Sequence, residues 1–258
     1  MFLIYFFIFI FGLCVGSFIN ALVYRLQEKM PWIKARSICP ECKIQLSWWH
    51  NIPLLSFIVL RGQCAFCQKK ISGLYPLIEF SVGILFVIAV IFFDGHISSL
   101  FFEFFIIIIL MTLFLYDLKY TLIPDIISLP AIGVILIFQL MRLFFMNQLN
   151  INNFLFIFLS AIIGGGWFAA QYFISRGKWV GGGDIRLGIL MGLILPWPHI
   201  ISGLSLAYIG GALVSLPLLL SHRKNFKSEI PFGVFLVPAT IIIFWWGDKI
   251  VAWYLNLI

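Results

Sequence analysis

Seven long, charge-poor runs of apolar residues constrain this chain more than any other feature. They lie near residues 1–23, 74–93, 100–116, 126–146, 154–174, 200–220 and 232–255. About 20 helical residues cross the hydrocarbon core of a bilayer, so each run is long enough, or nearly so, to span it. The chain is 62% apolar and only 10% charged, which excludes a water-soluble globule. We therefore predict an all-α polytopic membrane protein.

An eighth candidate span, residues 185–195, is shorter and is followed by Pro196-Trp197-Pro198. If it crosses, the loops at 24–73, 117–125, 175–184 and 221–231 share one face of the membrane. With Arg186, that face carries 15 of the 17 basic residues. Basic loops favour the cytoplasmic side, so the charges predict about eight transmembrane helices. The net charge of +7 is then explained by these loops, and we predict no nucleic-acid partner.

The predicted organisation has three parts. Residues 1–23 form a first transmembrane helix, retained because the run lacks a basic start and a small-residue cleavage site. Residues 24–73 form a small cytoplasmic insert, within which the short apolar stretch Leu54 to Leu60 is predicted to be a strand. Residues 74–258 form the remaining transmembrane domain.

Four of the five cysteines occur as two Cys-x-x-Cys pairs within this insert. The pairs are Cys39 with Cys42 and Cys64 with Cys67. Four thiolates in two such turns are typical of a closed, tetrahedral, structural zinc site of the zinc-ribbon kind. Reduced, unliganded thiols or a disulfide pair are the alternatives. We predict that a metal holds the insert together, because about fifty residues of modest apolar content would not fold alone.

Acidic residues at the ends of apolar runs are the candidates for chemistry. Asp117 ends one run, and Asp184 follows the glycines at 181–183 and precedes another. Two carboxylates that meet at a membrane rim can share a proton, as aspartyl proteases require. The alternative is that both are ordinary helix caps. We interpret Asp125 as a helix cap because it follows a proline and opens an apolar run, and Glu79 as a buried acid with a polar partner.

Taken together, these motifs resemble the type IV prepilin leader peptidase family, the bifunctional prepilin peptidases and N-methyltransferases of bacteria. The resemblance covers nearly the whole chain. It rests on Gly16-Ser17-Phe18-Ile19-Asn20 with Arg25, the cysteine pairs enclosing Asn51-Ile52-Pro53-Leu54-Leu55-Ser56, Tyr75-Pro76-Leu77-Ile78-Glu79, the segment from Asp117 to Asp125, Gly-x-Gly-Asp at 181–184, and Pro231-Phe232-Gly233.

The resemblance implies an aspartyl peptidase of the bacterial inner membrane, with the insert in the cytoplasm. Its catalytic residues map onto Asp117 and Asp184. Its substrates are prepilins of type IV pili and pseudopilins of type II secretion, reached from the lipid bilayer. It also implies methylation of the new N-terminal residue with S-adenosylmethionine as donor. The residues that bind this donor, and the oligomeric state, are not predicted.

Three positions depart from the family pattern, namely Leu74 for a usual arginine, Arg186 for a usual lysine and Val234 for a usual proline. None of these changes touches the aspartate pair. Two other functions fit the residues less well. A presenilin-like intramembrane protease would cut inside a spanning helix, and an ion-coupled transporter would use the membrane acids to carry protons or cations.

Overall fold

In the computed structural model, residues 2–32, 36–145, 150–220 and 231–256 are described. Most of the basic loop predicted at 221–231 therefore lies outside the described residues, as do residues 33–35 of the insert. The helices are α1 (Phe2–Gln27), α2 (Leu55–Val59), α3 (Leu74–Ile91), α4 (Ile97–Tyr120), α5 (Asp125–Phe145), α6 (Ile151–Ser175), α7 (Gly182–Ile194), α8 (His199–Leu220) and α9 (Gly233–Leu255), with a 3₁₀ turn at Trp48–Asn51.

Seven of these helices, all except α2 and α7, are long and apolar enough to cross a membrane. The described residues contain no strand, only two isolated bridges inside the insert, Ile38 with Gln45 and Gln63 with Lys70. Among the described residues, each predicted apolar run lies within one of the seven long helices or extends beyond its ends by at most two residues. The predicted all-α polytopic membrane fold is therefore confirmed.

The eighth predicted span is the helix α7, which has 13 residues. At 1.5 Å per residue it is about 20 Å long, less than the hydrocarbon core is thick. It packs against α5, α6 and α9, and its last five residues, 190–194, are buried. Near its end, the Gln139 side chain on α5 donates a hydrogen bond to the Leu193 carbonyl, 2.8 Å away. A helix can end at membrane depth when protein groups satisfy its backbone in this way.

The strand predicted from Leu54 to Leu60 is wrong, because Leu55–Val59 forms the short helix α2. A single strand needs a neighbour to satisfy its backbone, and no described residue of the insert pairs with this stretch. One turn of helix satisfies these groups locally instead. The backbone N–H of Leu54, just before α2, donates to Glu79 Oε2 on α3 at 2.9 Å.

The chain forms two compact units, Met1–Leu115 and Tyr116–Ile258. In the first unit, α1 and α3 run antiparallel and approach closely through small residues. A Cβ placed on Gly12 would lie 2.7 Å from Gly83 Cα, and one on Gly16 would lie 2.6 Å from Glu79 Cα. One turn further along, the Asn20 side chain donates to the Tyr75 carbonyl at 3.1 Å. Small residues permit such contact between helix backbones, as in other membrane helix pairs.

In the second unit, α6 and α7 form a similar antiparallel pair. A Cβ on Gly164 would lie 2.2 Å from the Gly188 carbonyl oxygen, and a Cβ on Gly192 would lie 2.1 Å from that of Ser160. Successive contacts are four residues apart on each helix. The same register brings Phe168 to the level of Asp184. The glycine contacts therefore fix the position of α7, and with it the position of its first turn, along α6.

Candidate active site

Asp117 lies in the last turn of α4 and is only 4% exposed. The chain reverses just beyond it. Thr121 N donates to the Asp117 carbonyl at 2.8 Å, and Thr121 itself adopts a left-handed conformation with φ of 53°. This turn ends the helix and starts the segment that leads to α5. The carboxylate is therefore carried on a rigid helix end and not on a loop.

Asp184 is the third residue of α7, and Gly181 is the residue that precedes the helix. Its Oδ2 atom accepts a hydrogen bond from Gly181 N at 2.9 Å. Asp184 is therefore not the N-cap residue, but its carboxylate caps the backbone N–H of the N-cap Gly181, which agrees with the alternative that it is a helix cap. A carboxylate in the first turn is favoured by the partial positive charge of the helix N-terminus. The contact with Gly181 fixes the side chain at the start of α7.

The first turn of α7 packs directly on the segment that follows Asp117. A Cβ on Gly183 would lie 2.8 Å from Ile123 Cβ, so a larger residue would push the two segments apart. Three residues beyond Gly183, Arg186 forms an ion pair with Asp125. These contacts bring the Asp117 and Asp184 carboxylates close enough to repel each other electrostatically.

The start of α9 closes the surroundings of Asp117. The backbone N–H groups of Gly233 and Val234 face its carboxylate. A Cβ on Gly233 would lie 2.7 Å from Asp117 Oδ2 and 3.1 Å from Leu187 Cδ2, so only glycine fits without displacing the acid. Asp117 Oδ2 is buried, yet it accepts no hydrogen bond of normal geometry from the described residues. A buried carboxylate oxygen in this state is typical of a functional site.

Sequence reasoning named the two aspartates but missed two of the contacts around them. Gly233 was noted only as part of a motif, and nothing in its spacing indicated that it touches Asp117. Asp125 was interpreted as a cap of α5. It is the first residue of that helix, but its carboxylate pairs with Arg186 and not with backbone N–H groups. The Asp125 carboxylate therefore binds the guanidinium group of Arg186 in place of the backbone N–H groups at the start of α5.

The four predicted cysteine ligands come together in the first unit. Their Sγ atoms all lie within 4.8 Å of one another, and those of Cys39 and Cys67 are 3.9 Å apart. A tetrahedral zinc ion with Zn–S bonds of about 2.3 Å would require sulfur atoms about 3.8 Å apart. The cluster therefore has the ligand set and the spacing to hold a metal ion, as predicted.

The two halves of this cluster have the same local structure. In each, a backbone N–H of the first cysteine donates to a carbonyl five residues on: Cys39 N to Ile44 O at 3.0 Å, and Cys64 N to Lys69 O at 2.9 Å. The residue after the second cysteine is left-handed in both, at Lys43 and Gln68. Repeated turns of this kind point two thiols to one place. The metal site thus follows from local structure that each Cys-x-x-Cys pair forms separately.

The surroundings act in opposite directions on two thiols of the cluster: burial and hydrogen bonds with the Cys39 and Cys67 thiols raise the pKa of Cys42 to about 11. Backbone N–H groups of Cys67 and Phe66 that point at the sulfur lower the pKa of Cys64 to about 7. The thiolate is the form that binds metals. On the exposed surface of the same region, a hydrogen bond and ion pair with Lys69 lower the pKa of Glu41.

Comparison with known proteins identifies two matching family models. Residues 10–93 match the bacterial peptidase A24 N-terminal domain, and residues 104–216 match the type IV leader peptidase family. The first match contains the cysteine cluster and Glu79. The second contains Asp117, Asp125 and Asp184. No solved structure matches the chain.

Full-length relatives agree with these matches. The chain is 30% identical to a prepilin leader peptidase/N-methyltransferase of Legionella pneumophila, over 96% of this chain and 93% of the relative. It is 28% identical to one of Aeromonas salmonicida, over 97% and 94%. It is 32% identical to one of Myxococcus xanthus, over 84% of this chain and 64% of the relative. The similarity to the first two extends over nearly all of both proteins.

Proposed function

The chain belongs to the type IV leader peptidase family, and from this premise we propose that it cleaves the leader peptide of type IV prepilins or pseudopilins and then methylates the new N-terminal residue. The observation that carries the proposal is the pair of carboxylates formed by buried Asp117 on α4 and half-buried Asp184 on α7, both in the second compact unit. Relatives that carry both activities in their names support the same conclusion.

Asp117 and Asp184 perform the peptidase step as a proton-sharing pair. Two close carboxylates in a poorly solvated place do not both ionise readily, so one holds a proton while the other is charged. The charged carboxylate takes a proton from a water molecule, and the oxygen of that water attacks the scissile peptide carbonyl. The protonated one donates to the carbonyl oxygen. Nearby backbone N–H groups of Gly233 and Val234 stabilise negative charge on Asp117.

Zinc is the metal we propose for Cys39, Cys42, Cys64 and Cys67. Four thiolates close the tetrahedron and leave no position for water, so its role is structural and not catalytic. S-adenosylmethionine is the methyl donor we propose for the second activity, which the name of the relatives implies.

The site of action is the cytoplasmic face of the bacterial inner membrane, with the cysteine insert on the cytoplasmic side. The seven long apolar helices and the distribution of basic residues support this placement. A prepilin or pseudopilin substrate, which has a basic leader followed by an apolar helix, would approach from the lipid bilayer. Neither alternative function, a presenilin-like protease or an ion-coupled transporter, is favoured by the relatives.

Mass spectrometry of a prepilin incubated with the detergent-purified protein and S-adenosylmethionine tests the proposal. We expect removal of the leader and the added mass of one methyl group on the product. The Asp184→Asn variant should give neither product while remaining folded and metal-loaded. Cleavage by this variant at the wild-type rate would contradict the aspartate pair. Cleavage without methylation by the wild-type protein would contradict the second activity alone.

A further inference from the structure

A cavity in the cysteine insert is lined by residues of the first unit, whereas both aspartates of the proposed peptidase step belong to the second. Its volume is about 420 Å³, and its lining includes Arg36, Ser37, Ser47, Trp48, Trp49 and Asn51. The volume is sufficient for a ligand of the size of a nucleoside derivative. We infer that this cavity binds the adenosyl and amino-acid groups of the methyl donor, an inference that rests on the methyltransferase half of the proposed function.

Two tryptophans give the cavity its chemical character. Trp48 is 72% exposed and Trp49 is 52% exposed. Their rings lie 5.5 Å apart and nearly perpendicular, at 79°, so together they form an aromatic corner. Indole faces stack on purine rings and attract cations such as a sulfonium. S-adenosylmethionine carries both an adenine and a sulfonium, which makes it a suitable occupant for two exposed indoles.

Polar groups around this corner suit the rest of the donor. Arg36 is the charged residue of the lining, and no acidic residue is among the described residues that form it. Arginine binds carboxylates through paired N–H donors, and the donor has one carboxylate. The hydroxyl groups of Ser37 and Ser47 and the amide of Asn51 can meet the ribose hydroxyls and the ammonium group. Each chemical group of the donor thus has a matching side chain.

The residues that line the cavity are joined to the two metal-binding turns, so the cysteine cluster also holds the cavity in shape. Leu46 N donates to the Ser37 carbonyl at 2.8 Å, on either side of the turn that carries Cys39 and Cys42. Behind Trp49, the ring of His50 lies 5.8 Å from it and 5.7 Å from Phe66, which belongs to the second cysteine turn. Metal that fixes both turns therefore also fixes the walls of the cavity.

Equilibrium dialysis with radiolabelled S-adenosylmethionine and the full-length, metal-loaded protein tests the site. Trp49→Ala and Arg36→Ala should each weaken binding by about tenfold or more, the loss expected for one stacked base or one charge-assisted contact. Trp253→Ala is the matched control, because Trp253 is also more than half exposed, at 63%, but lies in α9. The control should bind the donor as the wild-type protein does.

Leader cleavage and metal content show whether each variant is folded. Both should match the wild-type protein in Trp49→Ala and Arg36→Ala, whereas methylation should fall with donor binding. If Trp49→Ala loses metal, Trp49→Phe and Arg36→Ala decide the matter, and we expect Trp49→Phe to keep most of the affinity because it keeps an aromatic face.

Two results would overturn the inference, and they differ in what else they remove. Wild-type affinity in both Trp49→Ala and Arg36→Ala, with methylation intact, places the donor elsewhere and leaves the proposed function standing. A wild-type protein that cleaves its substrate but neither binds the donor nor methylates the product removes the methyltransferase activity as well as this site.

Discussion

Glu79 in the first unit and Asp117 in the second are both carboxylates buried in apolar helices, with exposures of 8% and 4%. Glu79 Oε2 accepts a hydrogen bond from Leu54 N at 2.9 Å and thereby ties the insert to α3. Asp117 Oδ2 accepts none of normal geometry and faces a second acid instead. A satisfied buried carboxylate stabilises a fold, whereas an unsatisfied one beside a like charge is available for chemistry.

Replacing each acid by its amide separates these two roles most strongly. Asp117→Asn should reduce leader cleavage by about 10³-fold or more, because an amide cannot share the proton with Asp184. Glu79→Gln should leave cleavage near the wild-type rate, because the amide oxygen still accepts from Leu54 N. Initial rates on one prepilin substrate measure both. Equal loss of cleavage in the two variants would mean that the contrast between the acids is false.

The next largest effect should come from the glycine contacts between α6 and α7, which fix the position of Asp184 along α6. Gly164→Ala places a methyl group 2.2 Å from the Gly188 carbonyl oxygen. Relieving this clash must displace α7, so we expect a loss of stability of about 3 kcal/mol and a large loss of cleavage. Thermal unfolding in detergent and the cleavage rate measure the two effects.

Gly166→Ala is the matched control for this substitution, since Gly166 lies on the same helix and a Cβ there meets nothing within 4 Å. Alanine is the better helix former, so this variant should be as stable as the wild-type protein or slightly more so. If the two variants unfold at the same temperature, the close approach of α6 and α7 is not what holds α7 in place.

Much of this fold was predictable from the sequence because it depends on local composition. Apolar runs fix the long helices, and each Cys-x-x-Cys pair forms its own turn. The stretch from Leu54 to Leu60 was predicted wrongly because a short apolar run does not distinguish a strand from a helix, and its contact with Glu79 comes from another helix. The length of α7 was predictable, but the reason why a short helix is tolerated there, the Gln139 contact, was not.

The candidate site shows the same division. Asp117 and Asp184 were identified by residue type, position and resemblance. The contact of Gly233 with Asp117 and the pairing of Asp125 with Arg186 join segments distant in sequence. No periodicity or motif spacing encodes such contacts, so only the tertiary structure reveals them.

Loss of one thiolate tests the first unit without touching the aspartates. Cys39→Ser should release the bound metal, because three thiolates and a hydroxyl bind zinc far less well than four thiolates. Cleavage should fall, but much less than in Asp117→Asn, since Cys39 and the aspartates lie in different compact units. Elemental analysis of the purified protein measures the metal. Wild-type metal content in this variant would contradict the four-thiolate site.

A smaller effect is expected at the end of α7. Gln139→Leu removes the donor to the Leu193 carbonyl and leaves that carbonyl buried without this partner. The expected loss of stability is about 1–3 kcal/mol, with the cleavage rate only slightly reduced. Gln139→Met is the matched comparison, since it keeps the length of the side chain, lacks the amide donor and adds no ionisable group, and it should lose a similar amount of stability. A melting temperature of Gln139→Leu equal to that of the wild-type protein would show that the contact contributes nothing.

The smallest effect should come from the ion pair of Glu41 and Lys69, because Glu41 is an exposed carboxylate whereas Glu79 is a buried one. Both side chains are more than half exposed, at 52% and 64%, so water and salt screen the attraction between them. Lys69→Ala should therefore leave metal content, donor binding and thermal unfolding as they are in Lys70→Ala, its exposed neighbour. A clear loss of metal in Lys69→Ala alone would show that this pair supports the cysteine turns. In that case an exposed carboxylate, Glu41, would stabilise the first unit as buried Glu79 does, and burial would not explain the difference between them.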